Sequence, residues 1–283
     1  MNILEAFYNI SNIEDLTINE ITFGNNRANN MGEGLESFIK DSFTNTFFEN
    51  DKNIRNQKYN EIFSYQGSKN NPPDLMLKNG DALEIKKVES LTTDLQLNSS
   101  YPKAKLFANS TLINKHCKNC ENWDEKDFIY TVGHIPKGTN KLSSLWFVYG
   151  TLYAADEKCY TNVKNSLTES LENNSDIDFS ETKEIGRVNF VDPLKITNLR
   201  IRGMWLLQPP YKVFKHIHEY SNQINFQCFL IIPNDKYSTF PIESRNKIEN
   251  HKQISIKNIQ LENPNNPVNL IDSKLITIKV KKN

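Results

Sequence analysis

An α/β fold built on a mixed β-sheet flanked by helices is predicted by three observations on this sequence. Strand-length stretches rich in β-branched, aromatic and aliphatic residues recur along its whole length. Between them lie segments whose apolar residues repeat at helical spacing, as at Leu35, Phe38, Ile39, Phe43 and Phe47. The 283 residues contain no internal repeat and no long linker rich in Gly, Pro or Ser, which predicts a single domain, residues 1–283, with loop insertions. Strands interleaved with helices bury their apolar faces against one another in packed layers.

A short helix opens the chain, and Asn19 to Asn30 reads as a polar loop. The apolar stripe then predicts an amphipathic helix from Gly32 to about Phe48. Ile62 to Tyr65 is strand-like and leads into the turn-rich stretch Gln66 to Pro73. Asp74 to Lys78 and Ala82 to Val88 are two strands around the turn signal Asn79-Gly80. Pro102 to Asn114 is helix or loop, Phe128 to His134 and Ser144 to Tyr149 are strands, and Cys159 to Glu172 is a helix. Ile185 to Met204 holds two β-rich stretches separated by Asp192-Pro193. The tail alternates at Ile254 to Leu261 and at Leu275 to Val280, again as strands.

Composition excludes several classes. At 37% hydrophobic and 24% charged residues the chain is neither disordered nor fibrous. The best apolar run, Phe226 to Pro233, is strand-sized and far short of a membrane span, so no membrane partner is expected. The N-terminus lacks the layout of a signal peptide, and four cysteines do not make a disulfide framework, which together predict a reducing cytoplasm. Lys and Arg total 34 against 34 Asp and Glu, a balance that argues on its face against a nucleic-acid partner. The motif His116-Cys117-Lys118-Asn119-Cys120 is half of a zinc site with no second half, so the expectation is reduced thiols in a turn and no zinc. No phosphate-cradling glycine loop or cysteine-nucleophile arrangement is present in the sequence.

The chemistry lies in the hairpin from Pro73 to Lys87. A two-residue loop would pair Leu75 with Glu84 and mix an acid into the apolar face. A three-residue loop, Asn79-Gly80-Asp81, pairs Leu77 with Leu83 and Leu75 with Ile85, gathering the four apolar side chains on one face. That register sets Asp74 opposite Lys86, with Glu84 on the same side. Two carboxylates and an ammonium then converge away from the core. Two hard oxygen donors suit a Mg²⁺ ion that keeps several waters and binds a phosphate oxygen, with Mn²⁺ as a substitute. Lys86 would orient or activate the attacking water. An ordinary exposed hairpin also carries charges on its solvent face, so the spacing alone does not identify a site.

Pro73-Asp74, a turn, and Glu84-Ile85-Lys86 resemble the PD-(D/E)xK nuclease signature, whose core is a hairpin beside a helix. Members often add an acid from the preceding helix as a further metal ligand. Glu36 stands at that place, although a solvated helix glutamate would sit there too. The resemblance extends to longer segments: Asn25 to Gly32, Phe63 to Gly67, Asn70 to Asp74, Leu97 to Lys105, Cys120 to Trp123 and Arg200 to Trp205. Over roughly residues 25 to 240 these are similar to the NgoPII family of type II restriction endonucleases. The resemblance implies a restriction-endonuclease-like core and Mg²⁺-dependent cleavage of double-stranded DNA at a short palindrome, GGCC being the family's usual target. Asp74, Glu84 and Glu36 would hold the metal, and Lys86 would complete the catalytic set. On this reading the nuclease core spans about 20–150, a recognition region about 180–240 and a β-rich C-terminal extension about 250–283.

The charge distribution fits such a partner better than the average does. Between Lys183 and Lys215 seven basic residues stand against two acids, a local charge of +5. Half of the six arginines fall between Arg187 and Arg202. Arginine is shaped for bidentate contact with guanine or phosphate. Arg200 and Arg202 alternate with Ile201, so on a strand they project to one side. Asp192 is a candidate acceptor from cytosine, and Asn189 shares its stretch. Arg27, Asn29 and Gln66 flank the predicted site and would hold backbone or read bases, or serve simply as turn formers. Lys103 and Lys105 are candidate phosphate contacts. A palindrome presents two equivalent half-sites, which predicts a homodimer. A companion DNA methyltransferase acting on the same site follows, since an unprotected genome would be cut. The rival readings are a PD-(D/E)xK nuclease of repair or recombination and a non-catalytic DNA-binding protein on the same fold.

Overall fold

The computed structural model describes residues 1–18, 27–67, 72–98, 100–182, 184–218 and 220–281, leaving aside the side chains of 27–30, 98 and 281. In chain order the helices are α1 (Ile3–Ser11), α2 (Arg27–Thr44), α3 (Lys52–Ile62), α4 (Lys115–Asn119), α5 (Glu157–Glu172), α6 (Pro210–Val213), α7 (Asn234–Thr239) and α8 (Ile242–Glu249). The first strands are β1 (Phe63–Gln66), β2 (Leu75–Leu77), β3 (Ala82–Val88), β4 (Leu95–Asn98), β5 (Lys105–Phe107), β6 (Glu125–His134) and β7 (Ser144–Tyr149). The later ones are β8 (Asp178–Glu181), β9 (Gly186–Asn189), β10 (Leu199–Ile201), β11 (Met204–Leu207), β12 (Ile224–Pro233), β13 (Ile254–Asn263) and β14 (Asn266–Lys281).

A nine-stranded sheet runs in the order β1-β2-β3-β6-β7-β12-β14-β13, with β5 paired to β6 off this path. Two of its ladders, β3 with β6 and β7 with β12, are parallel, and the others are antiparallel. The sheet is therefore mixed, and the predicted class holds. Strand β7 is buried at every residue, and β12 from Phe226 to Ile232, as central strands covered on both faces must be.

Helix α1 starts on a reciprocal cap: Asn2 accepts from the amides of Leu4 and Glu5, while Glu5 accepts from the Asn2 amide. It packs on α2 and α8. Helix α2 buries Leu35, Phe38, Ile39 and Phe43, the stripe expected of it. Leu35 sits so close over Gly133 of β6 that a Cβ there would meet its methyl carbon at 2.7 Å. This fixes α2 to the face of the sheet that carries Leu83, Ile85 and Gly133. The opposite face carries Glu84, Lys86, Tyr130 and Trp146, and Trp146 packs there with Tyr211, Phe214 and Phe229.

Some elements depart from expectation. Helix α2 begins at Arg27, inside the stretch read as a polar loop, and ends at Thr44, with Phe47 packed back on Phe38. Helix α3 carries almost no apolar stripe, burying only Tyr59, so periodicity does not reveal it. Lys105–Phe107, expected as helix or loop, is a short strand on β6. The tail read as an extension supplies β13 and β14, and β14 joins the central sheet beside β12. No helix among the described residues is long and apolar enough to cross a membrane.

Candidate active site

The hairpin that carries the predicted chemistry pairs Leu75 with Leu83 and Met76 with Ala82. The Leu77 amide donates to the Asp81 carbonyl at 3.0 Å, closing the loop over Lys78-Asn79-Gly80. Asn79 takes φ of 51°, and a Cβ at Gly80 would lie 2.9 Å from that of Leu77, so this tight loop suits these two residues. The expected register is therefore corrected by two residues, and Asp74 falls beside Glu84 instead of opposite Lys86. The reason is Asp81. Expected in the turn, it is buried, accepting from the Tyr149 hydroxyl at 2.7 Å and pairing with Lys236 at 2.6 Å. Lys236 also grips Asp127 at 2.7 Å. This half-buried cation draws Asp81 out of the turn and into the ladder.

Asp74 precedes β2, and its backbone is held on both sides. Its amide donates to the Leu83 carbonyl at 3.0 Å, and its carbonyl accepts from the Gly67 amide at 2.6 Å. A Cβ at Gly67 would stand 2.4 Å from the Pro73 carbonyl oxygen, so only glycine allows this approach. The Asp74 carboxylate accepts from the Ile85 amide at 2.6 Å. Burial, followed by the charge of Glu84, pushes its pKa up to about 8 against the opposing pull of Lys86 and the Ile85 amide; Glu36 adds a smaller push.

Glu84 and Lys86 share one face of β3, and the Lys86 ammonium meets Glu84 Oε1 at 2.8 Å. Burial works against the Lys86 charge, but Glu84 and Asp74 outweigh it and hold its pKa above the ordinary lysine value. The other oxygen, Glu84 Oε2, is buried with no hydrogen-bond partner. A buried carboxylate oxygen without a donor, beside a second carboxylate disfavoured by that same charge, is a donor set that fits a hard divalent cation.

Glu36 is ion-paired with Lys40 at 2.8 Å. Its charge reaches Asp74, yet among the described residues no group of three or more His, Cys, Asp or Glu side chains comes together as a metal cage. Asp74 and Glu84 are the pair the hairpin brings side by side. Arg27 and Asn29 lie in the first turn of α2, and their side chains fall outside the described ones. Gln66, exposed at the end of β1, donates to Asn60 at 3.1 Å.

Lys103 and Lys105, alike in sequence, separate in space. Lys105 pairs with Glu125 at 2.7 Å. Lys103 is buried, and its amide donates to the hydroxyl of Tyr130 at 2.5 Å. Tyr130 stands directly beside Glu84 in the parallel ladder, so the Tyr101–Lys105 segment lies over the Glu84 face. Tyr101 stacks on Tyr160 at 5.6 Å and meets the edge of Trp205 at 6.5 Å. Sequence reasoning placed Lys103 only as a phosphate contact; the Tyr101-Pro102-Lys103 run carried no signal of this position.

The arginine-rich stretch forms a three-stranded ribbon, β8-β9-β10. Arg187 of β9 pairs across from Arg200 of β10. Arg200 and Arg202 reach the same carboxylate, Glu184, at 3.4 Å and 2.8 Å, which agrees with their expected projection to one side. Asn189 donates to Asp178 and Ser180. Asp192 accepts from the amides of Leu194 and Thr197, and the bonds from Thr197 hold its pKa below the usual value; it is a turn former here. Cys117 of the Cys-x-x-Cys motif is buried against Met76, its thiol 3.3 Å from the thioether sulfur.

The chain matches the NgoPII restriction endonuclease family over residues 1–262. It is 43% identical to the type II restriction enzyme NgoPII of Neisseria gonorrhoeae over 277 residues, covering 98% of this chain and 99% of that protein. No solved structure matches it.

Proposed function

We propose, for a chain that belongs to the NgoPII restriction endonuclease family, that it is a type II restriction endonuclease and cleaves double-stranded DNA through Asp74, Glu84 and Lys86. The observation that carries this reading is the unpartnered Glu84 Oε2 beside Asp74 on a hairpin whose third charge, Lys86, stays cationic. Asp74 and Glu84 would hold a divalent ion, Mg²⁺ with Mn²⁺ as substitute. Glu36 is a further acid within electrostatic reach. Such an ion supplies charge neutralisation at the scissile phosphate and acidifies a water.

The chain's own residues do the rest. Lys86, fixed by Glu84 at 2.8 Å, donates hydrogen bonds and so orients the attacking water in line with the phosphate. With its pKa held above the ordinary lysine value it stays protonated, so it positions the water and does not remove a proton from it. Recognition falls to the ribbon around Arg187, Arg200 and Arg202, whose side chains are exposed. Asn189, Asp192, Gln66, Lys103, Lys105, Arg27 and Asn29 complete the proposed DNA-contact set. GGCC is the proposed target.

A palindrome calls for two active sites, so the working form is a homodimer. The turn after β9 leaves Phe190, Val191, Leu194 and Ile196 at least half exposed, apolar surface of the kind that associates. A methyltransferase of the same specificity accompanies the enzyme, and both act in the cytoplasm.

The test is a digestion of plasmid DNA with Mg²⁺ and, separately, with chelator. Discrete fragments that appear only with Mg²⁺ support the reading. Smearing, cutting of branched DNA alone, or retention without cutting would sink it. Lys86→Ala is expected to abolish cutting while leaving DNA binding measurable by gel shift.

A further inference from the structure

Lys103, placed so far only among the DNA contacts, has a position that the chemical step has not used. Its side chain is only 6% exposed, and its ammonium forms no ion pair among the described residues. Among the described residues its close neighbour of opposite character is the face of the Tyr101 ring, 4.5 Å from Nζ. Lysines are almost never buried unless paired. Glu157, whose charge reaches it, is already engaged by the Tyr101 hydroxyl.

The segment is clamped where it lies. The Lys103 amide is bonded to Tyr130, the ladder neighbour of Glu84. Behind it, a Cβ on Gly150 would meet the Lys103 and Ala104 carbonyl oxygens at 2.4 and 2.5 Å, so the turn that follows β7 and the segment touch backbone to backbone. The charge of Glu84 reaches Lys103 in turn. A buried, unpaired cation is thus held over the face that presents an unpartnered carboxylate oxygen.

We propose that Lys103 is a second cation of the active site, its ammonium contacting a non-bridging oxygen of the scissile phosphate. The inference rests on the endonuclease reading and adds a catalytic residue to it. In the hydrolysis the water oxygen bonds to phosphorus as the bond from phosphorus to the leaving ester oxygen breaks. The water leaves its hydroxyl on phosphorus, and its other proton ends on the ester oxygen. Lys103 keeps its protons throughout and contributes charge as the phosphate oxygens become more negative. The incoming phosphate supplies the anion that the folded chain withholds. Burial, opposed by the charges of Glu157 and Glu84, pulls the Lys103 pKa down to about 8, in keeping with a cation awaiting a partner.

Lys103→Met keeps most of the length of the side chain and removes the charge. Expected is a single-turnover cleavage rate at saturating duplex with Mg²⁺ lower by about 100-fold or more, a loss well beyond any loss of affinity for the same duplex measured with Ca²⁺. The melting temperature should be unchanged or higher, since a hydrocarbon replaces a buried charge. Lys103→Arg should cleave within about tenfold of wild type. Cleavage by Lys103→Met near the wild-type rate would overturn the proposal, as would loss of cleavage only in step with loss of binding. A Lys103→Met chain that fails to fold would overturn it too, because that marks a packing role. Wild-type protein assayed alongside separates the two readings: if it does not cut, the endonuclease assignment fails, and if both proteins cut, only the role of Lys103 does.

Discussion

Asp74 shows how a single residue carries the tension between folding and chemistry. Its pKa of about 8 lies far above the ordinary carboxylate value, so the charged form is disfavoured in the folded, metal-free protein. The sign follows from linkage. The contribution of a group raised in this way is fully present below its unfolded value and lost as pH climbs through the folded one. Asp74→Asn is therefore expected to melt higher than wild type without metal, by a margin that widens from pH 5 to pH 8 and shrinks when Mg²⁺ is added. Differential scanning calorimetry across that range checks it, and the variant should not cut DNA. Asp74, Glu84 and Lys86 were legible in the sequence because strand parity alone puts acid and lysine on one face. The unpartnered Glu84 oxygen and the burial of Lys103 were not, since both depend on segments distant in sequence, Tyr101–Lys105 and the Gly150 backbone.

At the scale of the element, the β2–β3 hairpin shows what pattern reading can and cannot resolve. Its strands were placed correctly, but its register was off by two residues. Slipping by one residue would turn every side chain over and expose the apolar set; slipping by two turns none. The deciding contact is long-range, between Asp81 and Lys236 of α7. Lys236→Met should leave Asp81 and Asp127 without their cation and cost about 3–5 kcal/mol of stability by urea denaturation. A loss below about 1 kcal/mol, the scale of a surface pair, would show that the network does not hold the turn. Helix α2 was legible for its buried stripe, whereas α3, polar on nearly every side, offered none.

On the scale of the whole molecule, zero net charge is a true but unhelpful average. Basic residues gather between Lys183 and Lys215, and Glu184 already occupies Arg200 and Arg202. On the proposed recognition role, DNA would have to take these arginines from a carboxylate, an exchange the composition could not disclose. The proposed two-fold assembly predicts a dimer mass in sedimentation equilibrium, with one palindromic duplex bound per two chains. A stable stoichiometry of one chain per duplex would argue against it. The mixed sheet and its flanking helices were legible from alternation and helical spacing, while the strand order was not, because β12 and β14 join the centre from late in the chain.

The two-residue parity of the hairpin also bears on how variants of this protein should be sorted. Lengthening or shortening the Lys78–Gly80 loop in a way that shifts the pairing by two would leave every leucine facing the same layer. Expression yield and melting temperature would then report a sound protein. Asp74 would nonetheless face a different neighbour, and the paired acids would be parted. A screen for solubility would pass such a variant, and only an assay of the reaction itself would reject it.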